Sequence, residues 1–244
     1  MVQTRDIEYS VDGTVMLGRL HLPDGAGPRP GVLVAHEANG RDVHPLERAH
    51  RLAELGYVAF ALDYHGGAHV YTDLDEMMTR LAAVASDPAR LRGISRAGLD
   101  VLLGEPRVDT TRVAAIGYCF GAVMMLDLAR SGPDLRAVVG FHPGAADHDP
   151  TEAQKITGKV LVCVGSEDPF FPADARSAFE AEMREGGVDW QLHVYGGALH
   201  SFTNPAASDA GLPALAFDQW ADARSWQAML GLFDEVLGAP PPAG

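Results

Sequence analysis

The chain has 244 residues, 47% of them hydrophobic and 21% charged, ordinary proportions for a globular protein and enough length for one large α/β domain with a sizeable core. Lys and Arg number 19 against 33 Asp and Glu, and the net charge of −14 argues against a nucleic acid or an anionic membrane as partner. No run approaches the roughly 18 apolar residues of a membrane span. Met1 to Ser10 holds no apolar signal core, and the two cysteines, Cys119 and Cys163, suggest no disulfide framework. The expectation is a soluble cytoplasmic protein.

Ile7–Val11 and Thr14–Leu22 alternate in polarity around Asp12-Gly13 and read as a hairpin. After a Gly/Pro loop at 25–30, Gly31–His36 is a short apolar run suited to a buried parallel strand. Asp42–Leu55 has helical spacing through Leu46, Ala49 and Leu52, and Gly56 ends it. Tyr57–Asp63 is a second buried strand. Thr72–Ala85 is a helix with Leu74, Met77, Met78 and Leu81 on one face. Asp87-Pro88 supplies an N-cap and a first-turn proline for a helix ending near Leu103.

Strands at Arg112–Ile116, Leu135–Phe141, Lys159–Gly165 and Trp190–Tyr195 alternate with helices at Ala122–Leu128 and Ala173–Glu185. A last helix over Leu215–Leu237 places Phe217, Trp220, Ala221, Met229 and Phe233 at core spacing. Residues 1–237 are expected to form one domain, and 238–244 a disordered Pro/Gly/Ala tail. Strands alternating with helices imply a mostly parallel sheet covered on both faces. Catalytic groups of such sheets gather at the carboxyl ends of the strands.

At one such end stands Gly117-Tyr118-Cys119-Phe120-Gly121, between a strand and a helix. This is the pattern of the α/β-hydrolase nucleophile elbow with Cys in place of Ser. A turn so sharp strains its apex residue, and glycines two positions to either side remove side chains that would collide. The helix N-terminus below Cys119 favours thiolate over thiol, and the Phe120 amide points toward a developing oxyanion. The plainer reading is a glycine-flanked turn with a structural cysteine.

An acid and a histidine should follow in that order. Asp168, in Gly165-Ser166-Glu167-Asp168-Pro169, lies past one buried strand, and His200, in Leu199-His200-Ser201-Phe202, lies past the next. Their spacings of 49 and 32 residues accommodate whole strand–helix units. His200 would take the thiol proton and return it to the leaving group, with Asp168 orienting the ring. Glu167 is the rival acid.

These motifs resemble the dienelactone hydrolases, cysteine-dependent members of the α/β-hydrolase fold, from about Gly31 through the last helix. The resemblance implies a Cys119–Asp168–His200 triad. It implies that Glu37, in His36-Glu37-Ala38-Asn39-Gly40, keeps the resting thiol protonated until substrate binds, and that the amides of Ala38 and Phe120 form the oxyanion hole. Family members that cleave dienelactone carry an arginine shortly after the Ser-Phe. Here Ser201-Phe202 is followed by Thr203-Asn204-Pro205. A second family arginine has no assignable equivalent in Tyr64-His65-Gly66-Gly67-Ala68-His69. An ester or lactone that is uncharged or differently shaped is therefore at least as suitable a substrate as dienelactone.

His44, Glu47 and His50 suggest no metal site, because positions six apart on a helix fall about 120° from overlap. Cys163, mid-strand, reads as core packing. His142, Tyr64, Tyr118 and Phe171 lie near strand ends, where they could shape a pocket. No dinucleotide motif is present, and no cofactor is implied. The leading expectation is a cysteine hydrolase of esters or lactones acting through a thioester. The alternatives are a ligand-binding protein on a hydrolase fold, or a glutamine amidotransferase, whose late His-x-Glu pair is missing.

Overall fold

The computed structural model describes residues 1–146 and 149–240. It has an eight-stranded, mostly parallel sheet in the order β1-β2-β4-β3-β5-β6-β7-β8. The chain divides into two compact units, residues 1–115 with the C-terminal end, and residues 116–238.

In the first unit, β1 (Gln3–Val11) and β2 (Thr14–Leu22) form the expected antiparallel hairpin, with Val11 facing Thr14. Asp12 and Gly13 both have positive φ, 49° and 76°, the backbone that a two-residue turn needs to match strand twist. β3 (Arg29–Ala35) is buried along its whole length and runs parallel to β4 (Val58–Ala61). Helix α1 (Val43–Glu54) begins where the Asp42 carboxylate accepts the His44 amide at 3.1 Å. In α3 (Pro88–Leu103), capped by Asp87, Gly98 lets the helix lie against Leu62 and Leu33.

Between them, α2 (Leu74–Ala85) has the predicted bounds to within two residues, but its apolar stripe is not core. Val84 is its one buried residue, and Leu74 and Met78 are exposed. Helical spacing gives the face a helix could bury; tertiary packing decides whether it does.

The second unit starts inside β5 (Val108–Tyr118). β6 (Ala137–Phe141), β7 (Lys159–Gly165) and β8 (Trp190–Tyr195) run parallel in register, with Val162 between Gly140 and Leu192. α4 (Phe120–Arg130) packs on β6, and α6 (Gln219–Leu237) packs on β6 and β7. α5 (Ala173–Glu185) meets a 3₁₀ turn at Pro150–Lys155. A buried bidentate pair ties α4 to α5, with Arg130 Nε 2.7 Å from Glu182 Oε1 and Nη2 2.8 Å from Oε2.

Helix α6 begins four residues later than its periodicity suggests, because the Asp218 carboxylate caps Trp220 and Ala221. Trp220 is exposed, and the buried aromatic residues of the helix are Trp226 and Phe233. Residues 241–244 of the expected tail lie outside the described residues. No helix among the described residues is long and apolar enough to cross a membrane.

Candidate active site

β5 ends at Tyr118 and α4 begins at Phe120, so Cys119 alone makes the turn. Its φ of 53° and ψ of −120° lie outside the regions an L-residue ordinarily occupies, and such a conformation costs on the order of 1–3 kcal/mol. A Cβ at Gly117 would fall 2.2 Å from the Gly121 carbonyl oxygen and 2.5 Å from the Ala122 nitrogen. The backbones of the two glycines meet at van der Waals limit, so the strain is built in by the sequence. The Cys119 carbonyl is taken by the amides of Ala122 and Val123, at 3.0 and 3.3 Å. Cys119 is partly exposed, whereas Tyr118 beneath it is buried and stacked on Phe141.

Asp168 lies three residues beyond the last residue of β7. Its loop is pinned to the end of β8 through Ser166 N–H to the Tyr195 carbonyl, 2.8 Å, and Glu167 N–H to the Ala198 carbonyl, 3.1 Å. A side chain at Gly165 would strike the Ala198 carbonyl oxygen. Both Asp168 oxygens are engaged: Oδ1 accepts the Phe170 amide at 2.8 Å and Oδ2 accepts His200 Nδ1 at 2.8 Å. Glu167 is exposed and accepts from the Ser166 hydroxyl, which decides between the two carboxylates.

His200 is clamped by its own backbone. Its N–H donates to the Ala214 carbonyl and its carbonyl accepts the Ala216 amide, both at 3.1 Å. Leu215 and Ala216, read from the sequence as the start of the last helix, instead take part in this bridge. The ring is buried and flanked edge-on by Phe170 and His142. With Nδ1–H given to Asp168, Nε2 is the nitrogen left for the Cys119 sulfur. Burial pulls the His200 pKa down, but the Cys119 charge and the hydrogen bonds to Asp168 and Cys119 outweigh it and push it up to about 10. The arrangement favours the protonated His200 ring.

Glu37 and Ala38 follow β3 in the first unit. The Glu37 carboxylate is buried, with Oε2 3.6 Å from His44 Nδ1. Arg48 Nε donates to His44 Nε2 at 3.3 Å, so the His44 proton sits on Nδ1, facing Glu37. The Glu37 carbonyl accepts from the Tyr64 hydroxyl and from His36 Nδ1, each at 2.6 Å, and the Ala38 carbonyl from His65 Nε2 at 2.8 Å. Burial drives the His36 and His65 pKa values down, to about 3 and about 4. His50 is partly exposed and lies 3.8 Å from Glu54.

The model of the dienelactone hydrolase family matches residues 16–237. This chain belongs to that family. Two solved structures of dienelactone hydrolase type superpose closely. One, called m3DLH, is 45% identical with a TM-score of 0.93, over 96% of this chain and 98% of its own. The other, a dienelactone hydrolase-like promiscuous phosphotriesterase from metagenomic libraries, is 42% identical with the same TM-score and coverage. A probable 2-oxo-3-(5-oxofuran-2-ylidene)propanoate lactonase of Bradyrhizobium is 25% identical over 88% of this chain and 89% of that protein.

Measured against the expectations for a dienelactone hydrolase relative, Tyr64, Tyr118 and Phe171 are buried. His142, expected at a pocket wall, is fully buried. Its Nδ1 accepts the Cys119 amide at 3.2 Å and its Nε2 meets the Thr203 hydroxyl at 2.8 Å. Cys163 is buried in β7, where burial raises its pKa to about 12, an unreactive thiol. Sequence reasoning missed the roles of His44 and Tyr64. The spacing of His44 and Arg48, four apart on a helix just after the Glu37 loop, was the available signal for the first.

Proposed function

We propose that this chain hydrolyses small carboxylic esters or lactones, with Cys119 as nucleophile, His200 as general base and acid, and Asp168 as the group that orients His200. The observation that carries this reading is the buried His200 ring, bonded to the buried Asp168 carboxylate on Nδ1 at 2.8 Å and standing 5.2 Å from the His142 ring that accepts the Cys119 amide. The thiolate adds to the substrate carbonyl carbon, and the electron pair moves to oxygen. Collapse expels the alkoxide, which takes the His200 proton and leaves a thioester on Cys119. His200 then removes a proton from water, whose oxygen attacks the thioester, and the expelled thiolate recovers its partner as the acid leaves.

In this reading the amide of Phe120 receives the oxyanion. Peptide planarity sets the Ala38 N–H opposite the Glu37 carbonyl. Two donors hold that carbonyl, so the amide is kept from flipping. Thr203-Asn204-Pro205 lacks the arginine that dienelactone-cleaving members carry after the Ser-Phe, so an uncharged or differently shaped ester or lactone is at least as suitable as dienelactone. The 42% identical relative named as a promiscuous phosphotriesterase supports testing phosphotriesters as a second class of substrate.

The test is turnover of p-nitrophenyl acetate by the native chain and by Cys119→Ala, with and without iodoacetamide. Turnover should vanish in the variant and in the alkylated protein, and equal turnover by both proteins sinks the reading. No turnover on any ester, lactone or phosphotriester favours the ligand-binding alternative.

A further inference from the structure

The amide of Cys119 is held twice, by the Phe141 carbonyl at 3.0 Å and by His142 Nδ1 at 3.2 Å. A main-chain N–H can only donate, so Nδ1 must present a lone pair. The His142 proton is therefore on Nε2, which donates to the Thr203 hydroxyl at 2.8 Å. Imidazolium or the other tautomer would set N–H against N–H.

The chain bends to reach this arrangement. His142 has φ of 40°, the left-handed region that His tolerates better than most side chains but still adopts at a cost. Its own N–H is fixed to the Cys163 carbonyl at 2.7 Å, and no part of it is exposed to solvent. Its ring stands edge-on to His200, centroids 5.2 Å apart, and to Phe202 at the same distance. The titratable groups around it are Cys119, Tyr118 and His200, with Asp168 behind His200.

We propose that His142 is a positioning residue of the site. As a neutral imidazole with its proton on Nε2, it links the Cys119 amide to Thr203, three residues beyond His200, and so sets the distance between nucleophile and base. This rests on the reading of Cys119 and His200 given above. Fixing the Tyr118–Cys119 peptide aims Sγ, and fixing Thr203 aims the segment that carries His200. Neutrality matters as well, because a second cation 5.2 Å from His200 would oppose the charge that His200 carries at the start of the cycle and regains on activating water.

The experiment compares the native chain with His142→Ala, His142→Asn and Cys119→Ala on p-nitrophenyl acetate, with iodoacetamide alkylation of Cys119 followed against pH. Asn suits positive φ, and its Oδ1 stands in for the Nδ1 acceptor. His142→Ala should lose about 10- to 100-fold in kcat with KM within about twofold, as for a misaimed catalytic group. Its alkylation midpoint should move to higher pH as the thiolate loses its partner. His142→Asn should recover most of both. An alanine variant with native kcat and midpoint overturns the proposal while an inactive Cys119→Ala leaves the triad standing. An active Cys119→Ala overturns the triad reading itself. A folded His142→Asn as impaired as the alanine variant also overturns the proposal. Nitrogen NMR of the native chain needs no variant: an unprotonated Nδ1 and protonated Nε2 on His142 support the proposal, and any other state refutes it.

Discussion

His200 and His36 are both buried histidines at the carboxyl end of a strand or in the segment beyond it, and their pKa values move in opposite directions. His36, stacked on Tyr64 with centroids 3.7 Å apart, bonds a carbonyl, and its pKa falls to about 3. His200 is pushed up to about 10. Burial lowers both, since it penalises the charged ring. His200 differs in having a carboxylate on one nitrogen. The first unit thus uses buried histidines as neutral struts, and the second uses one as a charge carrier. What surrounds the ring decides which.

The sharpest way to break that contrast is to make His200 resemble His36. Asp168→Asn keeps the shape and removes the charge, so burial should dominate and the ring should be held in the wrong tautomer. Activity should fall about 10³- to 10⁴-fold in kcat, as for the acid of a triad, with the fold retained by circular dichroism. A loss under about tenfold would mean that the Asp168 charge does not set the state of His200.

A second buried carboxylate asks whether charge partners matter as much away from the site. Arg130 and Glu182 are both almost wholly buried. Arg130→Met strands the Glu182 charge and should cost about 3–5 kcal/mol in urea unfolding. Arg130→Met with Glu182→Leu should return most of that, because an apolar pair of similar volume replaces the ion pair. A single variant as stable as the native chain would show that Glu182 finds water or another donor.

The neutral struts make the opposite prediction for pH. His36 and His65 have folded pKa values of about 3 and about 4 against an ordinary 6.5. Between about pH 6.5 and 4 the unfolded chain binds more protons than the folded one, so stability falls as pH drops through that window. The loss should reach a few kcal/mol by pH 4 at one ionic strength, read from urea midpoints. A flat profile from pH 7 to 4.5 would place both rings in a more hydrated setting than their burial implies.

How much of this was readable in the sequence follows from how local each feature is. β7, α5 and β8 appear with the predicted bounds, because short apolar runs and caps decide them within a few residues. Asp168 and His200 were named from strand-end placement and motif, and the structure puts His200 Nδ1 2.8 Å from the Asp168 carboxylate. The start of α6 was not readable, since Leu215 fell within the helical spacing yet pairs with His200. The apolar stripe of α2 misled for the same reason, its partner surface being a tertiary matter. His142 carries no motif: it bonds an amide 23 residues back and a hydroxyl 61 residues on, and no window of sequence holds both.

The smallest expected effect tests whether the struts serve catalysis at all. The Tyr64 hydroxyl and His36 Nδ1 share the Glu37 carbonyl. Tyr64→Phe removes one of the two and keeps the ring stacked on His36. If that peptide presents the Ala38 amide to the oxyanion, loosening it should lower kcat about three- to tenfold with KM unchanged, a fraction of the ~10²- to 10³-fold loss on deleting an oxyanion donor. The remaining His36 bond explains why the loss should be small. A matching drop in KM and kcat, or none in either, would confine Tyr64 to packing and return His36 to the role of a buried neutral ring with no part in the chemistry.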